Sequence, residues 1–193
     1  MSRNGKVLSI IAVGGLLIAL GLAGFFQLLG RVRDHLLARQ DSVIAPVAAG
    51  ALAADFKLKD LGGSTISLSS LRGKVVFLNV WATWCEPCRQ EMPSIESLYE
   101  EFKQDKNLVV LAVSQDSTGR GAVDSYIRKN GFKFTVLLDP ANAVGEAYNV
   151  SGIPETFIIA PNGRIVAHHS GPYDWSKPEM RDALEELLKS REG

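Results

Sequence analysis

Val75-Val76-Phe77-Leu78-Asn79-Val80-Trp81-Ala82-Thr83-Trp84-Cys85-Glu86-Pro87-Cys88 is the stretch from which the fold can be read. Its first seven residues are apolar apart from Asn79, the pattern of a strand covered on both faces. It runs into the only two cysteines of the chain, spaced Cys-x-x-Cys. Beyond them Met92, Ile95, Leu98, Tyr99 and Phe102 recur at helical spacing. Two sulfurs therefore stand where a buried strand hands over to a helix. Such a pair holds two electrons as thiols and releases them by closing a disulfide.

Cysteine reacts as the thiolate, and the free N–H groups and dipole of a helix N-terminus favour that anion. Cys85 sits at the helix start and is the expected nucleophile. Cys88, one turn in, is within reach of Cys85 but shielded, and is the expected resolving thiol. Pro87 falls in the first turn, where proline costs little, and stiffens the loop between the sulfurs. Glu86 opposes a second negative charge beside it, which points toward a reductant rather than an oxidant.

Outside this segment the composition is that of an ordinary globular protein of 193 residues, room for one domain plus an appendage. Net charge is zero, but from Ala51 onward 16 Lys and Arg face 19 Asp and Glu. A mildly acidic domain without a basic stripe argues against nucleic acid as a partner. Two cysteines do not make a disulfide scaffold, so the pair reads as catalytic.

Residues 7–29 are apolar but for Ser9, the glycines and Gln27. As a helix they would measure about 34 Å, enough for a hydrocarbon core of roughly 30 Å. Gly21-Leu22-Ala23 would serve as a cleavage site, yet the apolar run continues past it through Phe25 and Phe26. The expectation is an uncleaved signal-anchor in membrane lipid. Residues 1–6 would be a cytoplasmic tail, 30–50 a tether and 51–193 the folded domain. The protein would then span the inner membrane once, with its domain on the periplasmic side.

Within the domain, Gly62-Gly63 marks a hairpin between residues 56–58 and 65–68. Strands are expected at 74–81, 108–114, 134–138, 156–160 and 164–169, and helices at 87–103, 121–130, 143–148 and 176–191. Ser176 with Glu179 reads as a capping box for the last helix. Strand–helix alternation followed by a hairpin and a closing helix argues for an α/β fold, a mixed sheet with helices on both sides.

Two blander readings of Cys-x-x-Cys fail on the residues. A zinc site needs further ligands, and the candidates are His35 in the tether and the adjacent His168 and His169, which a strand would point to opposite faces. No metal is expected. A passive disulfide would close too small a loop to stabilise much.

The segment Phe77–Pro93 as a whole resembles the active-site segment of membrane-tethered thioredoxin-like proteins. Gly152-Ile153-Pro154-Glu155-Thr156-Phe157 resembles the segment that carries that superfamily's cis-proline. The similarity runs over residues 51–188 and is nearest to the cytochrome c maturation thiol reductases of the CcmG/DsbE and ResA types and the broader TlpA-like set. The resemblance implies a thioredoxin-like three-layer sandwich with an N-terminal hairpin and a central insertion over residues 119–148. Pro154 would be cis and lie against the sulfurs. The Ile153 backbone would pair with a bound substrate strand, and Trp84, Glu86 and Pro87 would complete the substrate surface. Pro93 would kink the active-site helix.

The buried aspartate that helps titrate the second cysteine of thioredoxin falls on Asn79, which cannot take a proton. Glu91, three residues beyond Cys88 on the same helix face, is one replacement. Glu155, followed by an apolar strand, is the other and the slightly better one. Asn79 is expected to bond a neighbouring backbone group, and Trp81 and Trp84 to pack, with Trp84 shielding one side of Cys85.

By this resemblance the chain is a thiol–disulfide reductase acting on apocytochrome c or another disulfide-containing protein, re-reduced by a membrane thiol-transfer protein. It would need no cofactor beyond the Cys85–Cys88 pair. A general reductant, an oxidant, or a copper carrier using both cysteines and His168 are the alternatives. A peroxidase is discounted, because Leu78 and Ala82 stand where that pattern needs Pro and Thr or Ser.

Overall fold

The computed structural model describes residues 50–190. Seven strands form one sheet: β1 (Lys57–Asp60), β2 (Thr65–Ser67), β3 (Val75–Trp81), β4 (Leu108–Ser114), β5 (Thr135–Leu138), β6 (Glu155–Ile159) and β7 (Ile165–Ser170). Their order across the sheet is β2-β1-β5-β4-β3-β6-β7. β3, β4 and β5 run parallel, and antiparallel strands flank them on both sides. Among the described residues four α-helices accompany the sheet: α1 (Glu86–Phe102), α2 (Arg120–Asn130), α3 (Ala143–Ala147) and α4 (Pro178–Lys189).

β3 is central because every one of its residues can be buried, and all seven are. Its alternate side chains feed two cores. Val75, Phe77 and Trp81 pack with Met92, Ile95 and Leu98 of α1, Val123 and Ile127 of α2, and Met180 and Leu184 of α4. Val76, Leu78 and Val80 face the other way, toward Leu68, Val144 and Tyr148. The parallel crossovers β3-α1-β4 and β4-α2-β5 step in one direction across the sheet, so their right-handedness puts α1 and α2 on the same face. The return from β5 to β6 passes over the other face, and α3 lies there. The edges are β2 and β7.

The hairpin, the parallel pair and the helical insertion stand where the sequence puts them. The capping box does not form. α4 starts after Lys177, with no side-chain cap. Ser176 instead bonds Asp174 Oδ1 through both its backbone N–H, at 3.1 Å, and its hydroxyl. Glu179 accepts from the Tyr173 hydroxyl at 3.3 Å. A nearer acceptor, Asp174, captured the serine. Pro93 sits inside α1 without ending it. The expected tail, anchor and most of the tether, residues 1–49, lie outside the described residues. Among the described residues no helix is long and apolar enough to cross a membrane.

Candidate active site

β3 delivers the chain to the end of the sheet, and Ala82, Thr83 and Trp84 turn it into α1. The turn is pinned by Asp116, a buried carboxylate just past β4. It accepts from the Thr83 backbone N–H at 2.9 Å, from the Thr83 hydroxyl, and from the Ser114 hydroxyl at 2.7 Å. Asp116 was not singled out in the sequence; a lone acid two residues past the apolar strand β4 was the available signal.

Cys85 is the N-cap of α1, and its sulfur accepts the backbone N–H of Cys88 at 3.2 Å. The sulfur thus occupies the place where a capping oxygen normally satisfies a free helix donor. Cys85 and Cys88 are joined in a disulfide, with an S–S distance of 2.05 Å. Cys85 is 5% exposed and Cys88 fully buried. Cys88 is shielded as its place one turn into the helix implies, and Cys85 alone is reached, along an open groove lined by Trp84, Pro87 and Ile153 among others. The Ile153–Pro154 peptide bond is cis. The Ile153 carbonyl oxygen lies 3.6 Å from the Cys85 sulfur.

Trp84 is 67% exposed and forms an apolar lip beside Cys85. Trp81 is fully buried and tilts against Tyr126 at 5.4 Å. Glu86 is paired with Arg89 one turn on, so its charge is offset in the oxidised site. Leu78 and Ala82 are both buried and offer no hydroxyl near Cys85.

The two candidate carboxylates part company. Glu91 is 3% exposed and sits between α1, the sheet and the segment leading to α4. Asn79 Nδ2 donates to its Oε1 at 2.8 Å, and the Tyr173 N–H and Trp175 Nε1 each donate to its Oε2 at 3.1 Å. Burial pushes its pKa up to about 7, against the pull of the three N–H donors. Asn79 directs its amide to side chains, Glu91 and Thr156, rather than to the backbone group expected of it. Glu155 pairs in register with Val80, and so projects onto the face away from α1. There its Oε1 accepts from Ser170 at 2.9 Å and lies 3.4 Å from His168 Nε2. Its Oε2 is buried without a hydrogen-bond partner.

His168 stacks on Phe157 on that far face, while His169 packs edge-on to Trp175 on the α1 face. The copper reading thus finds His168 on the wrong side of the sheet. Among the described residues no group of three His, Cys, Asp or Glu side chains is placed to hold a metal ion. The arrangement is equipped for one chemistry, transfer of electrons between the Cys85–Cys88 pair and a disulfide or dithiol brought into the groove.

Comparison with known proteins agrees. The AhpC/TSA family profile matches residues 49–168. The thiol-disulfide oxidoreductase ResA of Bacillus subtilis (strain 168) is 41% identical over 121 residues, 62% of this chain and 66% of the relative. A ResA of Bacillus cereus is 31% identical over 187 residues, 97% of this chain and 99% of the relative. Among solved structures, StoA from Bacillus subtilis superposes with a TM-score of 0.58 at 26% identity, over 72% of this chain and 98% of that one. The thioredoxin domain of a thiol-disulfide oxidoreductase from Bacteroides vulgatus gives 0.63 at 27% identity, over 74% and 99%.

Proposed function

The chain belongs to the AhpC/TSA family, with its thioredoxin-like fold, and is a thiol-disulfide oxidoreductase; from that premise we propose that it works as a reductant of protein disulfides outside the cytoplasm. The observation that carries the direction is the placing of Glu91, a buried carboxylate one helical turn beyond Cys88. A negative charge there disfavours the Cys88 thiolate. Strong oxidants of this chemistry are those whose reduced form is stabilised as thiolate, so withholding that stabilisation lowers the potential and makes a reductant.

Reduced Cys85, its thiolate favoured by the α1 N-terminus, attacks one sulfur of the substrate disulfide. A Cys85–substrate disulfide forms and the first substrate thiolate leaves, taking up a proton. Cys88 passes its proton to Glu91 and attacks the Cys85 sulfur. The Cys85–Cys88 disulfide closes and the second substrate thiolate leaves, taking up the proton held by Glu91. Two electrons and two protons have moved to the substrate. Trp84, Glu86, Pro87, Ile153 and Pro154 form the surface that receives it. A dithiol protein of the membrane returns the pair to the reduced state by the same exchange in reverse. No further cofactor takes part.

Resemblance to the cytochrome c maturation reductases supports apocytochrome c as substrate, its Cys-x-x-Cys-His pair being reduced before haem attachment. The apolar run at residues 7–29 supports an anchor in the inner membrane with the domain on the periplasmic side. A Cys88→Ala variant of the full chain in intact membranes tests the whole reading. It should accumulate a covalent adduct through Cys85, containing an apocytochrome c. Adducts formed by Cys85→Ala instead would reverse the roles of the two thiols.

A further inference from the structure

Two amide side chains in the groove, Gln115 and Asn142, have no part in the exchange just described. Gln115 follows β4 directly, and its backbone N–H bonds the Trp81 carbonyl at 2.9 Å. Asn142 stands before α3 in the left-handed conformation, at φ 58°, a region asparagine tolerates better than most residues. The loop around it is firm: the Asn142 N–H bonds the Asp139 carbonyl at 3.0 Å, and the Asp139 carboxylate caps the N–H groups of Ala143 and Val144 at 2.9 and 2.8 Å. Gln115 Nε2 donates to Asn142 Oδ1. That bond orients the pair and leaves Asn142 Nδ2 and Gln115 Oε1 without a hydrogen-bond partner among the described residues. A donor and an acceptor are thus held side by side in the groove that ends on Cys85.

We propose that Gln115 and Asn142 form a subsite for one peptide group of the substrate segment that carries the disulfide. Asn142 Nδ2 donates to the peptide carbonyl and Gln115 Oε1 accepts its N–H, the two bonds a peptide unit offers. No charged side chain lines the groove, so the segment it takes is extended and neutral there, and its capture is insensitive to salt. Gly145 belongs to the device. A Cβ at that position would run into both Asn142 Oδ1 and Gln115 Nε2, so only glycine leaves room for the pair. The inference rests on the reduction of protein disulfides proposed above.

The test uses the reduced full chain and two oxidants under single-turnover conditions. One is a short peptide with a Cys-x-x-Cys disulfide. The other is 2,2′-dithiodipyridine, which is neutral and has no peptide group. Asn142→Gly keeps the backbone conformation and removes the amide. Gly145→Ala keeps the amide, displaces it, and suits a helix. Both should lower the second-order rate constant for the peptide about tenfold, the worth of one to two hydrogen bonds, and leave the dithiodipyridine rate unchanged. The wild-type peptide rate should hold constant as salt is raised. Variants unimpaired toward the peptide, or impaired equally toward both oxidants, would overturn the subsite alone. A wild-type protein that reduced neither disulfide would overturn the reductase reading and the subsite with it.

Discussion

Asn79 Nδ2 lies 2.8 Å from Glu91 Oε1, a bond that ties the middle of the central strand to the active-site helix one turn beyond Cys88. The amide cannot ionise, so it fixes the carboxyl without competing for its proton. Titration stays on Glu91, whose pKa is pushed up to about 7.

Release of substrate from the Cys85 adduct should therefore accelerate as pH rises through about 7, because only ionised Glu91 takes the Cys88 proton. Glu91→Gln should abolish that inflection and slow release about a hundredfold at pH 8, the low end of what a positioned base supplies. Glu155→Gln should preserve it, since Glu155 lies on the other face of the sheet. Stopped-flow release from a preformed mixed disulfide reads both variants. An inflection surviving in Glu91→Gln and lost in Glu155→Gln would exchange their roles.

The same carboxyl ties stability to pH. Its pKa rises from 4.5 when unfolded to about 7 when folded, so between those values the folded state holds the proton that the unfolded state has lost. Below pH 4.5 Glu91 is neutral in both states and costs nothing. As pH rises to 7 its contribution falls, and above 7 the full cost of a buried charge stands, about 3 kcal/mol. Unfolding free energies of wild type and Glu91→Gln, measured from pH 4.5 to 8, should diverge by that amount in favour of the variant as pH rises. Parallel curves would mean that Glu91 is ionised throughout.

Trp175 gives this titration a handle far from the dithiol. Its Nε1 donates to Glu91 Oε2 at 3.1 Å and favours the carboxylate. Trp175→Phe keeps a ring against Phe77, which the indole meets edge-on at 4.9 Å, and removes the donor together with part of the ring. The release inflection should move above pH 7. An unmoved inflection would show that the indole only packs.

That Glu91 and Glu155 lie on opposite faces of the sheet was not legible in the sequence, and the reason is physical. Two of the three donors that make the burial of Glu91 tolerable come from Tyr173 and Trp175, more than 80 residues away along the chain. The face of β6 on which Glu155 lies depends on register, which no local pattern states. What was legible was local: two strands apolar on both faces, a dithiol at a strand–helix junction, glycines at a hairpin turn. The Ser176 cap misled because its motif was satisfied on paper while Asp174 lay two residues away. The shielding of Cys88 was legible from its place in the helix, but the near-complete burial of Cys85 was not, because its groove is walled in part by Ile153, 68 residues distant.

Asp116 should matter to stability more than to chemistry. Asp116→Ala would leave the Thr83 N–H and the Ser114 hydroxyl without their acceptor in a buried turn. Each stranded group costs about 1–3 kcal/mol, so denaturant unfolding should show a loss of about 3 kcal/mol. Asp116→Asn, which keeps one acceptor oxygen, should lose less. Equal losses would assign the effect to the side-chain volume instead.

Trp84 is the opposite case, a large apolar side chain left 67% exposed at the mouth of the groove. Exposure on that scale buries little on folding, so Trp84→Ala should shift the unfolding midpoint by no more than a degree or two. A disulfide-bonded protein drawn over Cys85 would cover the indole, and an aromatic anchor of that kind is worth about 2 kcal/mol at an interface. The variant should lose about thirtyfold in apparent affinity for a protein disulfide, read from the concentration dependence of its reduction. The rate at saturating substrate should stay near wild type, because the indole touches neither the Cys88 proton nor its acceptor. A fall in that saturated rate with affinity intact would place Trp84 in the exchange step itself.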